Sequence, residues 1–194
     1  MDRKKLLSIL EAEVENKNII KHMLATEACM GALFDYLKEK QTDKVTESRE
    51  EWLIAGLMHD GDYKDSVPVE KQGIEVVETL KKEGVEVSEA VAQTMAAHNW
   101  NNTGVEPKTL MDWSLFCADS LTGLIVAATL VLPNKKLSEV TVERVMNRFK
   151  EKAFARGTRR EEIKMCEEKL GIPLEEFVRI CLEAMQDISK DLGL

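Results

Sequence analysis

A helix that stays apolar to its last turn and then ends on a histidine and an aspartate is the stretch that most narrows what this chain can become. It runs from Trp52 to Tyr63, WLIAGLMHDGDY. Ser48 and Glu51 form an S-x-x-E capping box at its start, and Trp52, Leu53, Ala55, Gly56 and Leu57 follow as a close-packed apolar run. His59 and Asp60 then stand side by side, and Gly61, expected in the left-handed conformation, closes the helix. Burying either side chain without a partner is costly, so the pair is expected at the edge of the core, facing a cleft.

Helical periodicity continues on both sides. Leu6, Leu7, Leu10 and Val14 repeat at helical spacing, and Asn18 is placed to cap a helix from Ile19 to about Lys40. In that helix His22 shares an apolar side with Ala25, Cys29 and Leu33, at spacings of three, seven and eleven. After Pro68, Val69, Ile74, Val77 and Leu80 are expected to point inward before Gly84 stops the helix. Ser88 caps another helix, in which Val91, Met95 and His98 share a side. Pro107 is read as restarting a long apolar helix to about Leu132, in which Asp119 lies among Phe116, Cys117, Ala118, Leu121 and Leu124. Gly123 is expected to ease close packing or a bend there.

Beyond Pro133, Val142, Val145, Met146 and Phe149 mark a buried face, while Arg144, Arg148 and Lys152 recur every fourth residue along another. Gly157 is expected to end that helix and Thr158 with Glu161 to form a second capping box. A last amphipathic helix follows Pro173. No alternating pattern of strands appears, so the fold class is all-α, a bundle of about eight or nine helices.

With 194 residues and 44% hydrophobic content the chain suits one domain, 1–194. A metal-binding core is read over about 19–132, with C-terminal helices at 138–194 packing on it and lining the pocket. The net charge of −8 disfavours a nucleic-acid polymer or a membrane surface as partner. No signal peptide is read at the N-terminus, and no segment approaches the roughly 18 uninterrupted apolar residues of a spanning helix. Cys29, Cys117, Cys166 and Cys181 show no C-x-x-C pairing and are read as reduced packing residues, which places the chain in the cytoplasm.

The three histidines each have a bland reading as satisfied core residues. Together with the aspartates they suggest more. His22, the pair His59 and Asp60, and Asp119 come from three helices, and each is a metal-ligand type in an apolar setting. A divalent cation would offset the cost of burying both carboxylates. Two imidazoles and two carboxylates suit Mn²⁺ or Mg²⁺, with Fe²⁺, Co²⁺, Ni²⁺ and Zn²⁺ as alternatives.

The order H…HD…H…D resembles the HD-domain superfamily of metal-dependent phosphohydrolases over at least residues 19–132. The wording LMHDGDY, AAHN, CADSLTGLIVAA and RFKEKAFARG resembles a subgroup of small predicted HD hydrolases. The resemblance implies an all-α fold in which His22, His59, Asp60 and Asp119 hold one divalent metal. It also implies hydrolysis of a phosphate ester, a nucleotide being one candidate, by metal-activated water. Relatives with two metals generally use two further histidines, and here Gln72 precedes the glycine where the first is often found. A mononuclear site is therefore expected, with His98 beside the metal or on the substrate phosphate.

Asp62 is the candidate proton acceptor for the attacking water, against the plain alternative of a turn-forming aspartate. Lys64, Arg144, Arg148, Lys152 and Arg156 are candidates for neutralising a small phosphorylated substrate. The alternative from another class is a non-catalytic sensor that binds metal and nucleotide, and the blandest is a helical scaffold with incidental histidines. Oligomerisation is left open.

Overall fold

The computed structural model describes residues 2–194, and among these every regular element is helical. In chain order the α-helices are α1 (Arg3–Glu13), α2 (Lys17–Lys40), α3 (Arg49–Met58), α4 (Glu75–Lys82), α5 (Glu89–Ala97) and α6 (Trp100–Thr103). They continue with α7 (Leu110–Leu130), α8 (Val142–Lys150), α9 (Arg160–Met165), α10 (Leu174–Asp187) and α11 (Ser189–Leu192). The two beyond the expected nine are single turns, α6 and α11. The all-α class stands.

Two long helices organise the bundle. α2 packs against α3, α7, α10 and α11, and α7 against α2, α5, α8, α9 and α10. α7 is long and apolar enough to cross a membrane by length and composition alone, but 67% of its most apolar window is buried inside the protein. Its start is tied to α5 through Asp112, which accepts from the Thr109 and Lys108 amides and from the Thr94 hydroxyl.

Small residues set how closely α2 and α3 approach. A Cβ on Gly56 would lie 2.9 Å from the Cα of Glu27 and 3.0 Å from its amide nitrogen. The backbones therefore meet where His22 and His59 must face each other. The capping box of α3 forms as expected, and Glu51 also accepts from the Ser88 hydroxyl at 2.6 Å, joining the N-terminal ends of α3 and α5. Their C-terminal ends carry His59 and His98.

Several local expectations are corrected. Gly61 is not among the left-handed glycines; a Cβ there would lie 2.8 Å from Val76, so the need is for room. Pro107 lies outside α7, which Thr109 caps with Asp112 in a capping box. Val69 and Ile74 face outward, and Val76 with Leu80 fills the core instead, because the chain makes a separate turn at Val69–Lys71 before α4 begins. Gly123 packs against nothing: no atom lies within 4 Å of where its Cβ would be. α8 ends at Lys150 rather than at Gly157, which leaves Lys152 outside the helix. The Thr158–Glu161 box does not form, Arg159 preceding α9 without a side-chain cap.

Candidate metal centre

Each of the three histidines is held through Nδ1, and each by a different local means. His59 and His98 are both the first residue beyond a helix, and both turn the ring back on a last-turn carbonyl. His59 Nδ1 donates to the Gly56 oxygen at 2.9 Å and His98 Nδ1 to that of Met95. His22 lies inside α2. Its Nδ1 is 3.0 Å from the Thr122 hydroxyl, whose own proton goes to the Asp119 carbonyl at 2.8 Å, so the imidazole donates and the hydroxyl accepts. An imidazole whose Nδ1 carries the proton offers a lone pair at Nε2.

All three Nε2 atoms point into one cluster with two carboxylates. His22 Nε2 lies 3.1 Å from His59 Nε2 and 2.9 Å from Asp119 Oδ1. Asp60 Oδ2 is 3.8 Å from His22 Nε2 and 3.7 Å from His59 Nε2, and its Oδ1 is 3.3 Å from His98 Nε2. Donor atoms bound to one small cation at about 2.1 Å sit about 3 Å apart at neighbouring positions. Two overlapping trios meet the spacing a metal needs, His22, His59 and Asp119 on one side and His59, Asp60 and His98 on the other. The donor set fits a divalent cation.

Electrostatics show what the cluster does with protons. Burial, the largest effect, would lower His98, but the bond to Asp60, the charges of Asp60 and Asp119 and the bond to the Met95 carbonyl together outweigh it and lift the imidazole to about 9. His22 is raised in the same way, burial being overcome by Asp119 at 2.9 Å. For His59 the nearest carboxylates are 3.7 and 3.9 Å away, burial wins, and the group falls to about 4. Burial would raise Asp60, yet the surrounding imidazoles bring it down to about 2, and His22 holds Asp119 well below the usual carboxylate range despite burial. A cation entering the cluster therefore competes with protons.

The remaining candidates are placed as follows. Asp62 is almost fully buried, with both oxygens on main-chain donors: the Gly73 amide at 2.8 and 3.0 Å and the Val76 amide at 2.8 Å. These contacts give Asp62 a structural task beside the expected proton-accepting role. Asp62 anchors the turn into α4 and presses Gly73 against His98. At Gly73, where φ is +84°, a Cβ would strike the Met95 carbonyl and come within 2.9 Å of the His98 ring. Lys64 is paired with Glu13 at 2.7 Å. Arg144 and Arg148 line a hollow with Thr141 and Glu151 that shares no residue with the metal centre, and Arg148 is paired with Glu151 at 2.7 Å. Lys152 is exposed.

Arg156 does line the centre. With Ser120, Thr158 and Arg159 it borders a hollow of about 350 Å³ that opens on His22 and Asp119. Arg159, which the sequence did not single out, reaches Asp119 Oδ2 at 2.9 Å and Glu162 at 3.0 Å. Asp119 thus turns one oxygen to the histidines and the other to a guanidinium. Glu162 is held by Asn101 at 2.8 Å, and burial raises its pKa. No family model, curated protein or solved structure matches this chain, so the site is read from its own geometry.

Proposed function

We propose that this chain is a metal-dependent phosphohydrolase of the HD-domain kind, acting on a small phosphate monoester. The observation that carries the reading is the meeting of three imidazoles, each held through Nδ1, with two carboxylates at a spacing that suits a bound cation. His22, His59, Asp60 and Asp119 would hold the metal, Mn²⁺ or Mg²⁺ being favoured by the mixed N and O donors. Bound there, a divalent ion supplies Lewis acidity toward water and toward a phosphoryl oxygen. Arg159 and Arg156 stand across the adjoining hollow and bind the remaining phosphoryl oxygens. His98, fixed at Nδ1 and buried, holds Nε2 3.3 Å from Asp60 and would carry a proton to the leaving oxygen. With all four cysteines buried as free thiols, the reading places the protein in the reducing cytoplasm.

The deciding experiment combines elemental analysis with phosphate release in Mn²⁺. Wild type should retain about one metal per chain and release phosphate, and Asp60→Ala should lose both. Unchanged metal stoichiometry in Asp60→Ala would refute the ligand assignment. One observation favours the sensor reading instead: Asp62, the carboxylate expected to serve as base, has no free oxygen. Tight nucleotide binding with no phosphate released would select that reading.

A further inference from the structure

Beside the metal centre lies a second pocket whose chemistry differs from that of the arginine-lined hollow. It has a volume of about 320 Å³, at the lower end of the range for small-molecule sites, and lies between α2, α7 and α11. Ala25, Val126, Leu130 and Leu192 form its walls, while Asn18 and Lys21 contribute polar groups from exposed positions. Thr122 also borders it, but its hydroxyl is already committed to His22 and to the Asp119 carbonyl. The walls are mainly apolar, and only the exposed Asn18 and Lys21 are left to contact a polar group of a ligand there.

His22 and Gly123 border both this pocket and the arginine-lined hollow. Gly123 is exposed in the middle of α7, where glycine weakens a helix, and open space surrounds the position of its missing Cβ. Neither a turn, a positive φ nor a close backbone approach accounts for glycine there.

We infer that the substrate is a phosphomonoester whose alcohol carries an apolar body, with its phosphate at Arg159 and its apolar part in the α2–α7–α11 pocket, and that Gly123 keeps the passage open. This rests on the hydrolase reading for turnover, though not for binding. It narrows the substrate class away from nucleotides, because the gain comes from burying hydrocarbon.

The test uses the full chain with and without Mn²⁺. Calorimetric titration with non-hydrolysable alkylphosphonates, ethyl through octyl, should show affinity rising about fourfold per methylene until the pocket is filled. Phosphate release from the matching alkyl phosphates should follow the same trend, and hexyl phosphate should outcompete adenosine monophosphate. In Gly123→Leu, which favours the helix and whose Cβ meets nothing within 4 Å, the melting temperature should not fall, but the dependence on chain length should collapse. Affinity that is flat with chain length in the wild type, or a dependence that survives Gly123→Leu, overturns the inference. Rising affinity with no phosphate released from any ester would leave the pocket assignment standing and remove the hydrolase reading. Hydrolysis of short esters without the chain-length trend would do the reverse.

Discussion

The hydroxyl of Thr122 accepts from Nδ1 of His22 at 3.0 Å while giving its own proton to the carbonyl of Asp119. One side chain on α7 thereby sets which nitrogen of a histidine on α2 faces the metal centre. Thr122→Val keeps the shape and removes the acceptor, so metal affinity should fall about 10- to 100-fold while the melting temperature changes little. Thr122→Ser should restore binding. Equal affinity in wild type and Thr122→Val, read by competition with a metallochromic chelator, would show that the hydroxyl does not orient the ring.

Asp62 gives a sharper contrast. Asparagine can keep one acceptor oxygen, but its amide would confront the Gly73 or Val76 N–H, so Asp62→Asn should cost about 1–3 kcal/mol in urea denaturation and leave metal content intact. Full stability combined with abolished turnover would instead mark Asp62 as the base.

At Gly56 the smallest substitution should be the costly one. The Cβ of Gly56→Ala meets the backbone of Glu27, which cannot swing aside as a side chain can, and a loss of about 1–3 kcal/mol is expected. Because the same approach sets the His22–His59 spacing, metal affinity should weaken together with stability. Loss of only one of the two would separate helix packing from the site.

Proton binding should be visible in the metal-free protein. His98 is raised from its ordinary value near 6.5 to about 9, so the folded state holds a proton that the unfolded chain releases. Its contribution, about 3 kcal/mol, is fully present below pH 6.5 and is lost as pH rises through 9. His22, also raised, adds to the trend with the same sign, whereas His59, lowered to about 4, acts only below pH 6.5. Denaturation of the metal-free chain at pH 6.5 and 9 should show the decline, and His98→Gln should shrink it to the part that His22 contributes.

How much of this was legible in the sequence follows from what helical spacing encodes. His22 with Ala25, Cys29 and Leu33, and Asp119 among large apolar neighbours, announced themselves by sitting on faces that should hold only hydrocarbon, and α2, α3 and α7 bring them together. Periodicity does not say which helix stands opposite, however. The Arg144–Arg148 row has the right charge but lines a different hollow, while Arg159, one residue from a false capping signal at Thr158, faces the site. Thr122 was equally silent, since its role exists only once α7 lies against His22. Gln72–Gly73 marked a missing ligand in the sequence; in the structure its glycine is where Asp62 seats the backbone against His98.

The start of α9 has a consequence for entry to the site. While Arg159 faces Asp119, its neighbour Arg160 grips the carbonyls of Phe149 at 2.8 Å, Phe154 at 2.6 Å and Glu151 at 3.1 Å. Ala155, held between them at a φ of +44°, is part of the same rim. One guanidinium thus rivets the segment carrying Arg156 to the end of α8. The edge of the arginine-lined hollow is tied to α8 through main-chain carbonyls, so on the proposed reading girth and charge would select what enters.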